Sequence, residues 1–155
     1  MRSARLPLPV IGVLLAALVG GALFAVLRER PVQVSPAPSA ADPACAVIAA
    51  RLPATVAGQA RRATTSRSVS VAAWGDPAVI LRCGVAQPDP TPDCQNIDGV
   101  DWVYRTLDDG TAFTTYGRDP AVQVLVPNSY APEPLRLPGF STAVSVVAQG
   151  ERRCS

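Results

Sequence analysis

The chain reads as an α+β protein: an antiparallel meander of about four to five strands, covered by an N-terminal and a C-terminal helix and preceded by one transmembrane helix. Three observations predict it. The first is an uncharged apolar run near the N-terminus, the second is repeated Asp-Gly punctuation between alternating apolar runs, and the third is an even number of cysteines beyond the apolar run.

The apolar run covers Leu6 to Leu27, 22 residues without a charge, between Arg2 and Arg5 before it and Arg28, Glu29 and Arg30 after it. As a helix rising about 1.5 Å per residue it covers the roughly 30 Å hydrocarbon core of a bilayer. No A-x-A cleavage site follows it closely, because Ser39, Ala40 and Ala41 lie too far on, and Asp42 stands where a lipoprotein site at Cys45 needs an aliphatic residue. The expectation is a retained single-pass anchor with the following domain on the extracytoplasmic side; the alternative is secretion after signal cleavage. The predicted organisation is a cytoplasmic stub (1–5), an anchor (6–27), a Pro/Ala/Ser-rich spacer (28–43) and a disulfide-stabilised domain (44–155).

Within the domain, Asp42 reads as an N-cap with Pro43 at the first helical position, opening a helix that Pro53 ends. Cys45, Val47, Ile48 and Leu52 would face the core. Val69, Val71 and Ala73 alternate with small residues ahead of the turn Gly75-Asp76-Pro77, and Val79 to Val85 reads as a buried strand. Asp98-Gly99, Asp108-Asp109-Gly110 and Gly117 to Pro120 then punctuate Val100 to Leu107, Thr111 to Tyr116 and Val122 to Val126, which predicts three antiparallel strands in a meander. Phe140, Val144 and Val147 keep helical spacing behind Ser141.

Composition excludes several function classes. All 14 cationic residues are arginine and there is no histidine, so Schiff-base lysines, Walker-type lysines and His-based catalysis are out. The cationic excess belongs to the N-terminal segment: beyond Arg30, ten arginines face eleven acids, a net −1 that provides no footprint for nucleic acid. Asp93, Asp98, Asp101, Asp108, Asp109 and Asp119 could supply a hydrolase acid and base or a calcium site, but most stand at turns, where a short carboxylate caps its own backbone, and the EF-hand register is absent. No metal site and no cofactor is called for. A candidate interaction surface remains in Arg61, Arg62, Trp102, Tyr104, Tyr116 and Tyr130, with core packing the competing role of the tryptophans.

The strings LPATVAGQARR from Leu52, AWGDPAVILRCGV from Ala73, DGVDW from Asp98 and TYGRDPAVQVLVPNSYAP from Thr115 resemble a family of small, single-pass, extracytoplasmic actinobacterial proteins that carry a domain of unknown function. The resemblance covers roughly Ala44 to Pro132 and implies a cell-envelope context and no activity.

Cys45, Cys83, Cys94 and Cys154 stand 38, 11 and 60 residues apart with no C-x-x-C pair, which reads as a disulfide framework in an oxidising compartment. Three pairings are open, of which Cys83 with Cys94 is the most local. A buried strand around Cys83 beneath the first helix favours Cys45 with Cys83 and Cys94 with Cys154. The resemblance points the same way, through relatives that keep only the counterparts of Cys45 and Cys83. Two functions follow as expectations: a noncatalytic, membrane-tethered domain that binds an envelope protein or cell-wall component, or a carboxylate-dependent hydrolase of cell-wall polymers.

Overall fold

A computed structural model describes residues 30–155. The expected anchor over Leu6 to Leu27 lies outside the described residues, and among the described residues no helix is long and apolar enough to cross a membrane. Pro31–Ser155 is one unit, and the described first residues of the Pro/Ala/Ser-rich stretch lie against the rest of it. The Val32 amide donates to the Ala63 carbonyl (2.9 Å) and its carbonyl accepts from the Thr65 amide (2.9 Å), so Val32 runs parallel to Thr64. Ala37 is buried, and the Ser39 amide donates to the carbonyl of Gly84 (3.0 Å).

Asp42 then caps the first helix as its residue type demands, its carboxylate accepting from the Ala44 amide at 2.8 Å, with Pro43 where a missing amide costs nothing. This helix, α1 (Pro43–Ala49), buries Cys45 and Ile48, whereas Val47 faces solvent rather than the core. The described residues form eight strands: β1 (Thr55–Val56), β2 (Gln59–Arg62), β3 (Val71–Trp74), β4 (Val79–Val85), β5 (Cys94–Ile97), β6 (Val100–Thr106), β7 (Gly110–Thr115) and β8 (Ala121–Pro127). The sheet order is β1-β2-β3-β4-β8-β7-β6-β5, all antiparallel.

The expectation of four to five strands is thus corrected to eight. The predicted meander is present as β6-β7-β8, and the pairing of β4 with β8 joins it to an N-terminal half of hairpins. The additional strands β1, β2 and β5 are short, with β2 mostly exposed and β5 half-buried, and each is held by backbone hydrogen bonds rather than by an apolar stripe. The second helix, α2 (Pro138–Val144), opens at Pro138, so Ser141 sits inside it rather than at its start.

One sheet face carries Trp74, Val79, Leu81, Cys83, Val100, Trp102, Phe113, Val122, Val124 and Val126 against α1 and α2, with Leu137 and Phe140 closing the layer. Each such fully buried large side chain contributes roughly 1.5–3 kcal/mol relative to exposure. Trp74 packs edge-on against Phe140 with centroids 5.3 Å apart, and its indole N–H donates to the Pro53 carbonyl at 3.0 Å. Cys45 is bonded to Cys83 inside this core, clamping α1 onto β4, and Cys94 is bonded to Cys154, which ties the C-terminal tail to β5.

Candidate functional site

Three of the six residues singled out as an interaction surface meet at one end of the sheet, around the turn Gly75–Pro77. The Arg62 guanidinium donates to the Gly75 carbonyl (3.1 Å) and pairs with Asp76 (3.4 Å), an exposed contact of small energetic weight. Arg61 lies over the Trp74 ring at 5.6 Å, and the Tyr130 hydroxyl donates to the Pro77 carbonyl at 2.9 Å. These groups brace the turn. A recess of about 110 Å³ at this end, lined in part by Ile80, Leu107, Leu125 and Pro127, falls below the several hundred Å³ of ordinary ligand pockets.

The other three lie elsewhere. Trp102 is fully buried in the core, Tyr116 is 6 % exposed, and Tyr104 is half-buried against the core, so they do not form one exposed aromatic face with Tyr130. Of the clustered aspartates, Asp101 is 5 % exposed. Its Oδ1 accepts from the Asn96 amide nitrogen at 2.6 Å and its Oδ2 from the Cys154 backbone N–H at 3.1 Å. Asp98 sits in the β5–β6 turn with φ of 50°, followed by Gly99 at 78°, the left-handed pair of a tight hairpin. Among the described residues no group of three or more His, Cys, Asp or Glu side chains is placed to hold a metal ion.

At the opposite end, where β4 and β7 finish and β8 begins, an open cleft of about 650 Å³ lies between Gln87 and Asp89 on one side, Gly117 and Asp119 beneath, and Gly150 to Arg152 of the tail on the other. The tail is fastened by many short contacts. The Gly150 amide donates to the Gly117 carbonyl (2.7 Å), and the Gln149 side chain donates to the carbonyls of Tyr116 (3.0 Å) and Arg152 (2.5 Å). Gly117 has φ of 72°, and a Cβ there would stand 2.1 Å from the Arg152 carbonyl oxygen, so only glycine lets the tail pass this close.

Under the tail lies Arg118, 6 % exposed. It donates through Nη1 to the Val147 carbonyl, while its Nε is buried with no hydrogen-bond partner among the described residues. Burial pushes the Arg118 guanidinium below its ordinary pKa; Asp101 opposes this and Arg153 adds to it. The cleft therefore offers carboxylates from Asp89, Asp119 and Glu151, the Arg152 guanidinium and the Gln87 amide. That donor set suits a polar ligand with cationic or hydrogen-bonding groups. Spacing in sequence hid this site, because Gln87, Gly117 and Arg152 are brought together by tertiary links, the β4–β8 pairing, the Cys94–Cys154 bond and the hydrogen bonds of the tail.

The pattern of the family described as a protein of unknown function, DUF3515, matches residues 6–152, nearly the whole chain. The chain belongs to the DUF3515 family. No curated protein and no solved structure matches it. The span matched to DUF3515 includes every residue that lines the cleft and three of the four bridging cysteines.

Proposed function

We propose that this DUF3515 chain is a noncatalytic envelope protein, tethered to the membrane through Leu6 to Leu27, whose outer domain binds another envelope protein or a cell-wall component through the cleft over Gly117. The observation that carries the reading is the cleft itself: about 650 Å³, within the range of ligand sites, lined by three carboxylates and a guanidinium. Two disulfides are consistent with an extracellular or other oxidising compartment. The hydrolase reading has less support, because Asp101 is committed to Asn96 and to the tail.

The test places a photo-crosslinking residue at position 87 of the full chain in intact cells. A discrete adduct that the Asp89→Asn/Asp119→Asn variant loses is expected; its absence, or an adduct indifferent to those substitutions, counts against the cleft. For the tether, protease added to spheroplasts should digest the domain, whereas a protein in the medium that starts at Pro31 or later would overturn anchoring.

A further inference from the structure

The two disulfides differ in kind. Cys45 and Cys83 are 0 % and 1 % exposed, sealed between α1 and β4, whereas Cys94 and Cys154 are both partly exposed. Cys94 lies on the edge strand β5 and Cys154 on an irregular tail that follows α2. Thiol–disulfide exchange requires a thiolate to reach a sulfur, and solvent gives that access to the second bridge alone.

We infer that the Cys94–Cys154 bond is a redox-removable clamp, the target of an external dithiol, whose reduction lifts the C-terminal tail and dismantles one wall of the cleft. The inference rests on the cleft reading for what the clamp regulates; the release of the tail stands on geometry alone. In the exchange, a dithiol attacks as thiolate at Cys154 Sγ, a new S–S bond joins it to Cys154, and Cys94 departs as a thiolate. The second thiol of the reagent then attacks this mixed disulfide as its thiolate, freeing Cys154. The reagent ends as a disulfide, the bridge has taken up two electrons, and the two protons of the reagent end on the two cysteines.

Beyond the disulfide, the tail is held by single hydrogen bonds, among them Gly150 to Gly117, Gln149 to Tyr116, Arg118 to Val147, Arg152 to Pro88, and Cys154 to Asp101. Without the covalent link these open as a local unit while the sheet stays closed. Ala148, Gly150, Glu151 and Arg152 leave the cleft together, and Asp101 and Arg118 become open to water.

The experiment uses the full chain in detergent micelles, treated with graded dithiothreitol, quenched with iodoacetamide and mapped by peptide mass, with hydrogen exchange on the same samples. Cys94 and Cys154 should alkylate at least about tenfold faster than Cys45 and Cys83, and the amides of Gly150 and Cys154 should lose at least about tenfold of their protection while β4 and β8 keep theirs. Cys154→Ser should show the same loss with no reductant. Simultaneous reduction of both bridges, or a tail that stays protected after Cys94 and Cys154 are alkylated or in Cys154→Ser, overturns the clamp. The position-87 adduct separates the two readings. Tail release with the adduct unchanged overturns the regulation. Tail release on reduction, with no adduct even from the oxidised protein, supports the clamp and removes the binding role.

Discussion

Cys154 donates its backbone N–H to Asp101 Oδ2 at 3.1 Å, so one carboxylate near the start of β6 fixes a residue 53 positions later. The other oxygen of Asp101 accepts from Asn96, and both contacts use the acceptor capacity that an ionised carboxylate has and an amide lacks. Asp101→Asn presents an NH2 group to one of two donors. It should lower stability by about 1–3 kcal/mol, read as a lower denaturant midpoint with an unchanged slope. An unchanged midpoint would show that Asp101 does not hold the tail.

Two glycines test the close approach of the tail. Gly58 (φ of 74°) and Gly117 (φ of 72°) share a left-handed backbone, but a Cβ at Gly58 meets nothing within 4 Å, while one at Gly117 meets Arg152 and Gln149 at 2.1 and 2.3 Å. Gly58→Ala should cost about 1–2 kcal/mol, the strain of the conformation alone. Gly117→Ala adds the displacement of residues 149–152 and should cost more, with faster exchange at the Gly150 amide. Equal costs would mean that the tail does not bear on Gly117.

Loop entropy assigns about 4 kcal/mol to each bridge, since the closed loops span 38 and 60 residues. Removing the second bridge as Cys94→Ser/Cys154→Ser should cost no more than that value. Cys45→Ser/Cys83→Ser leaves two hydroxyls in an apolar core and should cost more, enough to threaten folding of a domain whose whole stability is of order 5–15 kcal/mol. The reverse order in a denaturant series would contradict the burial of the first bridge.

The two halves of the sheet differ in how openly the chain declares them. Val79 to Val85 and the three strands of the meander carry long apolar or alternating patterns and Asp-Gly turns, because each buries a face. Strand β2 is Gln-Ala-Arg-Arg at the rim, and its hairpin turn is Ala57-Gly58, both at positive φ, where Asn-Gly or Asp-Gly is the usual signal. Val47 faces solvent, against the sequence expectation, because the short α1 offers the core only the stripe of Cys45 and Ile48. The disulfide pairing is legible as a preference, because a buried strand at Cys83 beneath α1 favours Cys45 over Cys94 and the family resemblance agrees. The cleft is not, because its walls come from three distant stretches, at Gln87 to Asp89, Gly117 to Asp119 and Ala148 to Arg152, that share no motif.

The tryptophans are equal in burial and opposite in hydrogen bonding. Both are 0 % exposed, but the Trp74 indole N–H reaches the Pro53 carbonyl, while the Trp102 indole N–H is buried with no partner among the described residues. Replacement by phenylalanine removes comparable apolar area from each. Trp74→Phe also strands the Pro53 carbonyl and weakens the contact with Arg61, whereas Trp102→Phe removes a donor that already bears its desolvation cost. Trp74→Phe should therefore be the more destabilising by about 1–2 kcal/mol in equilibrium unfolding. Each variant leaves one buried tryptophan whose emission shifts to longer wavelength on unfolding, so both can be followed by the same signal. If Trp102→Phe proves equal or worse, the Trp102 N–H has a partner in solution, and the cost of its burial is smaller than its surroundings imply.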